Sequence, residues 1–157
     1  MAADLTLNLQ RLFTAPAPLL FRAQIEPELL AQWWGPNGFS APSIDLDVQV
    51  GGHFRIMMQP PGGEPFHLYG EFREIDPHAR LAYTFLWDPP DPDDRETLVS
   101  LSFRQLAEST ELSLEQGSFA TDERRALHEQ GWSESLDRLD GLIKSRDWPG
   151  TSRAPHE

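Results

Sequence analysis

The stretch AQWWGPNGFS, residues 31–40, sets two adjacent tryptophans, Trp33 and Trp34, directly before Gly35 and Pro36. Glycine readily takes the left-handed conformation that closes a helix, and a proline that follows prevents the helix from resuming. The sequence therefore predicts that a helix ends here. Adjacent helical residues point about 100° apart, so the two indoles are expected to face different surroundings.

The segments on both sides of this stop predict a strand, two short helices and then more strands. Residues 5–13 alternate leucine with polar residues, which is typical of a half-buried strand. Pro18 and Pro27 each suit the start of a short helix, with a break near Ile25. From residue 43 to residue 116 the apolar period is two, with turn residues between six further strands.

Two hairpin registers follow from placing apolar residues opposite one another. The first is expected to oppose Phe54 to Phe72, Ile56 to Gly70 and Met58 to Leu68. The second is expected to oppose Phe72 to Tyr83, Gly70 to Phe85 and Leu68 to Trp87. One face of the sheet then carries an apolar set: Phe54, Ile56, Met58, Leu68, Phe72, Tyr83, Phe85, Val99, Leu101, Phe103, Leu112 and Leu114.

Residues 121–146 predict one long helix that covers this face. Its start is acidic and its end is basic, as the helix dipole favours. An apolar stripe runs along it at helical spacing: Trp132, Leu136, Leu139 and Ile143. The fold class is therefore α+β, with a curved antiparallel sheet of about seven strands, two short helices after the first strand, and a long C-terminal helix across the concave face. We expect one domain over residues 1–146 and a flexible tail over 147–157.

Composition narrows the classes of function. The 157 residues carry 13 basic and 25 acidic side chains, a net charge of −12, which disfavours nucleic-acid and anionic-membrane partners. The absence of cysteine excludes disulfides and thiolate chemistry. No signal peptide or membrane span is predicted, which favours a cytoplasmic location. No metal-ligand spacing or cofactor motif is present, so no metal and no cofactor are predicted.

Four segments together resemble a known superfamily: AQWWGPNGF, DLDVQVGGHFRI, YGEFREIDPHARLAYTF and HEQGWSESLDRLDGLI. The chain resembles the SRPBCC (START-like, helix-grip) superfamily from about Leu7 to Ile143, and most of all its branch named for the heat-shock protein 90 ATPase activator. The resemblance implies a cavity between the sheet and the C-terminal helix, with the small helices near its mouth. One tryptophan of the pair would then seal the joint between helices and sheet, and the other would line or gate the entrance. A departure lies near Gln24, where relatives often carry tryptophan.

The residues expected to contact a ligand come from the small helices, the inner sheet face and the first half of the long helix. They are Trp33, Trp34, Phe54, Ile56, Met58, Gly70, Phe72, Tyr83, Phe85, Val99, Leu101, Arg125, His128 and Trp132. His128 and Arg125 are expected to be polar anchors for an anionic or phenolic ligand, with hydroxyls supplied by Tyr83 and Thr97. Binding should then weaken as pH rises through about 6.5, because a neutral imidazole no longer attracts an anion.

Three features have alternative interpretations. Gly70, in mid-strand, indicates close approach either of Trp132 or of a ligand. Glu74 has inward parity and could act as an acid or base, although its place near a turn favours a solvated carboxylate. The acidic loop DPPDPDDRE lacks the spacing of a calcium loop, so it is expected to be a solvated hairpin loop.

The first functional hypothesis is binding of a small apolar or amphipathic ligand, as in a carrier, sensor or resistance protein. The second is stimulation of a chaperone ATPase, with a chaperone as partner, which follows from the name of the branch alone. The third is a cavity-based enzyme, such as a cyclase or hydrolase, that uses Glu74, Tyr83 or His128. A homodimer is left open.

Overall fold

The computed structural model describes residues 5–145 and has the predicted α+β architecture. The strands are β1 (Leu7–Phe13), β2 (Ser40–Leu46), β3 (His53–Gln59), β4 (Phe66–Asp76), β5 (Arg80–Asp88), β6 (Thr97–Gln105) and β7 (Thr110–Gly117). The helices are α1 (Ala17–Ile25), α2 (Pro27–Leu30) and α3 (Asp122–Lys144). The predicted tail, residues 147–157, lies outside the described residues.

The seven strands form one antiparallel sheet in the order β1-β7-β6-β5-β4-β3-β2. Each of the last six strands neighbours the next along the chain, and β1 closes the order against β7. Every member of the predicted inner face is buried, as is the α3 stripe that covers it. The helix-grip prediction is therefore confirmed, and the two layers share one apolar core.

Helix α3 begins at a well-defined cap. The hydroxyl of Thr121 accepts a hydrogen bond from the backbone N–H of Arg124 at 3.1 Å, and Asp122 and Glu123 occupy the first turn. These groups satisfy donors that the start of a helix leaves unpaired and complement its positive end. The helix ends at Lys144, while the predicted last residue, Arg146, lies outside the described residues.

The predicted register of the β3–β4 hairpin is wrong by two residues. The structure pairs Phe54 with Gly70, Ile56 with Leu68 and Met58 with Phe66. Because side chains alternate with a period of two, a shift of two keeps every side chain on its predicted face. The β4–β5 register is correct at Phe72–Tyr83 and Leu68–Trp87.

A bulge between Phe72 and Glu74 interrupts β4 and changes where the carboxylate of Glu74 lies. Glu74 does not point into the core as its parity suggested. Its side chain is half-exposed and pairs with Arg80 at 3.2 Å. Glu74 is therefore a solvated carboxylate, the second of the two alternatives given above.

The tryptophan stretch continues the second helix as a turn. Helix α2 ends at Leu30, but the N–H groups of Trp33 and Trp34 still donate to its carbonyl, at 3.2 and 3.0 Å. Gly35 then adopts a φ of 101°, a value that side-chain-bearing residues rarely take. The helical path stops at Gly35, as predicted, although the regular helix is shorter.

Replacing Leu139 with alanine tests the core. Leu139 is fully buried on the inner stripe of α3, so L139A should lower the free energy of unfolding by about 2–5 kcal/mol. Leu127 on the same helix is 57% exposed, and L127A should change it by no more than about 0.5 kcal/mol. Urea denaturation measures both variants. Equal losses would contradict the assignment of the inner face.

Candidate functional site

A pocket of about 430 Å³ opens between the tryptophan turn, the sheet and the first half of α3. Most of its wall is aromatic or aliphatic, with a polar group at each end. Its lining residues are Trp34, Gly35, Pro36, Phe39, Met58, Phe66, Phe85, Trp87, Pro89, Asp91, Asp94, Arg124, Leu127, His128, Gly131, Trp132 and Ser135. This is the candidate site.

The two tryptophans divide their roles as their different directions suggested. Trp33 is fully buried, and its indole N–H donates to the carbonyl of Ala23 at 3.1 Å, which ties the turn to α1. Trp34 lies on the pocket wall, where its indole N–H meets the sulfur of Met58 at 3.2 Å. Its ring also packs edge-on against Trp132, with centroids 5.2 Å apart. Trp33 joins helices, while Trp34 is available to a bound molecule.

Three side chains of α3 hold the turn that carries Trp34. Arg138 Nη1 donates to the carbonyls of residues 34, 35 and 36 at 3.1, 2.9 and 3.2 Å. Ser135 Oγ accepts the N–H of Gly35 at 3.0 Å, and Glu134 accepts the N–H of Asn37 at 2.9 Å. Backbone groups that the helix end would leave unpaired are thus satisfied, and this edge of the pocket is fixed to α3.

His128 is locked as a neutral ring. Trp87 Nε1 lies 2.9 Å from His128 Nε2, and because an indole nitrogen only donates, Nε2 must accept. His128 Nδ1 lies 2.7 Å from the carbonyl of Arg124, so Nδ1 carries the proton. Both ring nitrogens are therefore used within the protein, and protonation of Nε2 would set two N–H groups against each other.

The predicted role of His128 as a cationic anchor is wrong. Desolvation by burial lowers the pKa of His128 below its usual value of 6.5, and the positive charge of Arg124 acts in the same direction. The carbonyl of Arg124 and the carboxylate of Asp94 oppose that shift without reversing it. His128 lies on the pocket wall as an uncharged, hydrogen-bonded aromatic ring.

Arg124, rather than Arg125, is the arginine of the site. Arg125 pairs with Asp122 and Glu129, at 2.8 and 2.6 Å, on the outer side of α3, and it does not line the pocket. Arg124, one residue earlier, is largely covered and lines one end of the pocket. The side chains of Arg124 and Arg125 point about 100° apart around the helix axis. Both lie close to the helix face that carries His128, so helical spacing alone could not show which of them lines the pocket.

Most of the acidic loop is exposed, as predicted, but its aspartates also fold onto Arg124. Arg124 pairs with Asp91 at 2.6 Å, Asp93 at 3.0 Å and Asp94 at 3.6 Å. The Asp94 side chain is only 5% exposed. Arg95, within the loop, donates to the carbonyl oxygens of residues 118 and 119. The loop thereby becomes one wall of the pocket.

The structure brings five of the predicted ligand-contacting residues together on the wall: Trp34, Met58, Phe85, His128 and Trp132. The other nine do not line it: Trp33, Phe54, Ile56, Gly70, Phe72, Tyr83, Val99, Leu101 and Arg125. Most of these pack in the core beneath α3 and α1. The alternation of apolar residues identified the inner face of the sheet correctly. It could not show that core side chains fill most of the space over that face.

Gly70 has a different neighbour from either one expected. A Cβ there would collide with the carbonyl oxygen of Thr84 and come within 2.8 Å of Phe54 Cε2. Protein atoms of Thr84 and Phe54, rather than Trp132, fill that space, and Gly70 does not line the pocket. Glycine is required because two strands and the Phe54 ring approach closely.

The two predicted hydroxyl donors are not on the wall. Tyr83 is buried with its ring against Phe54 and Phe72, and burial raises the pKa of its phenol. Thr97 accepts from Gln116 at 2.9 Å, and Gln116 in turn accepts the indole N–H of Trp132 at 2.7 Å. Thr97 therefore helps to position Trp132, which lines the pocket, and does not line this pocket itself.

Sequence reasoning missed several wall residues, among them Phe39, Phe66, Trp87, Arg124 and Ser135. The predicted register already placed Trp87 opposite Leu68 of the inner face, so Trp87 could have been included among the candidate residues. Ser135 lies three residues beyond Trp132 and within reach of the same helix face. Nothing in the local pattern distinguishes Phe39 and Phe66, because both lie at the ends of loops.

A family model described as activator of Hsp90 ATPase homolog 1-like protein matches residues 14–144. The chain belongs to this family. The AHSA1-like assignment agrees with the SRPBCC resemblance of its motifs. No functionally curated protein matches the sequence significantly.

Solved structures of bacterial proteins share the AHSA1-like fold. A protein from Nitrosomonas europaea is 28% identical, covers 92% of this chain and 97% of its own, and superposes with a TM-score of 0.76. The AHSA1 protein from Silicibacter pomeroyi is 27% identical, with 88% and 96% covered and a TM-score of 0.75. A protein from Chromobacterium violaceum is 26% identical, with 87% and 96% covered and a TM-score of 0.76.

The locked state of His128 predicts a pH-dependent stability. Because its pKa is lower in the folded chain, the unfolded chain binds the proton more readily below about pH 6.5. The stability that the neutral His128 ring contributes is fully present above about pH 6.5 and is lost as the pH falls below that value. H128Q removes the titrating ring, so the loss of unfolding free energy between pH 7.5 and pH 5.5 should be smaller than in the unaltered protein.

The matched control is H53Q, at an exposed histidine of β3, which should leave that pH dependence unchanged. Urea denaturation at each pH gives the free energies. An H128Q variant with the same slope as the unaltered protein would show that His128 is not held neutral.

Proposed function

We propose that this AHSA1-like domain binds one small apolar or amphipathic molecule in the pocket between the tryptophan turn and α3. The observation that carries the proposal is the pocket itself. Its volume of about 430 Å³ lies within the range of roughly 300–1,000 Å³ typical of small-molecule sites. Trp34, Phe85, Trp87 and Trp132 offer ring edges and faces to an apolar body.

A few polar groups at the ends of an apolar wall suit an amphipathic molecule. Ser135 lies at one end, almost fully buried, and Asp91, Asp94 and Arg124 lie at the other. Such sparse polar groups typically orient a ligand whose binding energy comes mainly from apolar contact. The proposal covers carriers, sensors and resistance proteins alike.

The enzyme hypothesis has less support. The three residues considered for it are each engaged elsewhere: Glu74 pairs with Arg80, Tyr83 packs in the core, and both nitrogens of His128 are hydrogen bonded. The chaperone hypothesis still depends on the family description alone. Within residues 5–145, no helix is long and apolar enough to cross a membrane. A cytoplasmic location and a homodimer remain predictions.

Filling the pocket from Gly131 tests the proposal. Gly131 lies in the middle of α3, and a Cβ there would meet only Pro36 Cγ, at an ordinary 3.8 Å. Both residues line the pocket, so leucine at 131 should occupy it. Leucine also favours a helix over glycine by up to about 1 kcal/mol, so G131L should fold normally. It should weaken binding of an anthracene probe at least tenfold, measured by energy transfer from tryptophan.

The matched control is G141L on the same helix. A Cβ at Gly141 would have no neighbour within 4 Å, and Gly141 does not line the pocket. G141L should bind the probe as the unaltered protein does. Equal binding by all three proteins would contradict the proposal. So would stimulation of a chaperone ATPase that persists in G131L while probe binding is lost, because a surface would then carry the function.

A further inference from the structure

We propose that the ligand of this pocket is an aromatic cation whose positive group sits beside Asp91 and Asp94. The inference rests on the proposed function and adds to it the charge and the direction of the ligand. It replaces the anionic ligand expected from the sequence. Three features support it: the length of the pocket, the charge at one end, and the uncharged aromatic wall between the ends.

The pocket is elongated along α3. Its lining residues on that helix run from Arg124 to Ser135, eleven positions apart, or about 16 Å at 1.5 Å per residue. Pro89, Asp91 and Asp94 adjoin the Arg124 end, while Gly35 adjoins the Ser135 end, since Ser135 accepts its N–H. A bound molecule therefore has two distinct ends to occupy.

The Arg124 end has an excess of negative charge. Arg124 pairs with Asp91, Asp93 and Asp94, so in this cluster of ion pairs one positive charge meets three negative ones. The whole segment 88–96 carries five acidic residues and one arginine, or −4, and Arg55 offsets one of these charges by pairing with Asp88 at 2.9 Å. Arg95 lines a small adjoining cavity with Asp93, Asp94 and Arg124 and donates to carbonyls of residues 118 and 119. Its charge leaves a local balance of −1 at this end. A cation would gain from this field and an anion would lose.

Among the described residues, the pocket wall at the Ser135 end carries a buried polar group and no charged side chain. Ser135 is 4% exposed, and its oxygen accepts from Gly35. Within residues 5–145 its own hydroxyl proton has no acceptor, so it remains able to donate to a bound molecule. Beyond it, the positive charge of Arg138 is held on backbone carbonyls. The cation of a ligand is therefore favoured at the opposite end.

The wall between the ends suits a positively charged aromatic molecule. Trp87 lies against His128, one helical turn from Arg124, and also stacks edge-on with Phe66 and Phe85. A cation within about 6 Å of a tryptophan face is attracted by the ring, more strongly when water is excluded. His128 is uncharged and does not repel it. The carboxylates of Asp91 and Asp94 and the indole of Trp87 thus attract the same positive group of the ligand.

Three probes that share an anthracen-9-ylmethyl body test the charge preference: anthracen-9-ylmethyltrimethylammonium, anthracen-9-ylmethanol and anthracen-9-ylmethanesulfonate. Their affinities are measured by energy transfer from tryptophan at low and at high salt. The cation should bind about tenfold or more tightly than the sulfonate at low salt, with the alcohol between them. The preference should shrink at high salt, because salt screens the exposed carboxylate of Asp91.

A matched pair of variants locates the effect. Asp91 is 63% exposed and pairs with Arg124 at 2.6 Å, whereas Asp137 is 69% exposed and pairs with Arg11 at 2.7 Å, away from the pocket. D91N and D137N thus remove the same charge from similar ion pairs. D91N should reduce the ratio of cation to sulfonate affinity roughly two- to fivefold, and D137N should leave it unchanged.

The outcomes separate this inference from the proposed function. Equal binding of all three probes, lost in G131L, would overturn the charge preference and leave the pocket function intact. Tighter binding of the sulfonate, or equal effects of D91N and D137N, would also overturn the inference. Failure of every probe to bind, or binding that G131L does not weaken, would overturn both.

Discussion

The guanidinium group of Arg138 holds three successive carbonyl oxygens of the tryptophan turn, and the position of the pocket depends on this contact. The turn joins α2 to β2 and has no regular partner of its own. Once α3 fixes it, Trp33 is directed to α1 and Trp34 to Trp132. The long helix thus covers the sheet and also defines one edge of the pocket.

A buried hydrogen-bond chain fixes α3 from the other side. The indole of Trp132 donates to Gln116 on β7, and Gln116 donates to Thr97 on β6. Buried polar groups are costly unless paired, so this chain favours one position of the helix over the sheet. From Arg124 to Ser135 the side chains leave the pocket open, while further along α3 Leu136 and Leu139 pack in the core.

The sequence was sufficient for the fold because each step depended on local rules. Alternation gave the strands, helical spacing gave the α3 stripe, and Gly35 with Pro36 gave the stop. The site was only partly predictable, since it depends on contacts between distant segments. The choice of Arg124 over Arg125 depends on where the acidic loop folds, and the neutral state of His128 depends on Trp87, 41 residues earlier. The prediction of the β3–β4 register failed because a shift of two residues leaves every side chain on the same face of the sheet.

The space beside Trp34, Trp87 and Trp132 is the proposed binding site for an aromatic cation. A crystal structure of the protein with anthracen-9-ylmethyltrimethylammonium tests this most directly. The account predicts that the three rings lie among these indoles and that the ammonium group lies near Asp91 and Asp94. A probe bound elsewhere, or one whose ammonium group lies at the Ser135 end, would contradict it.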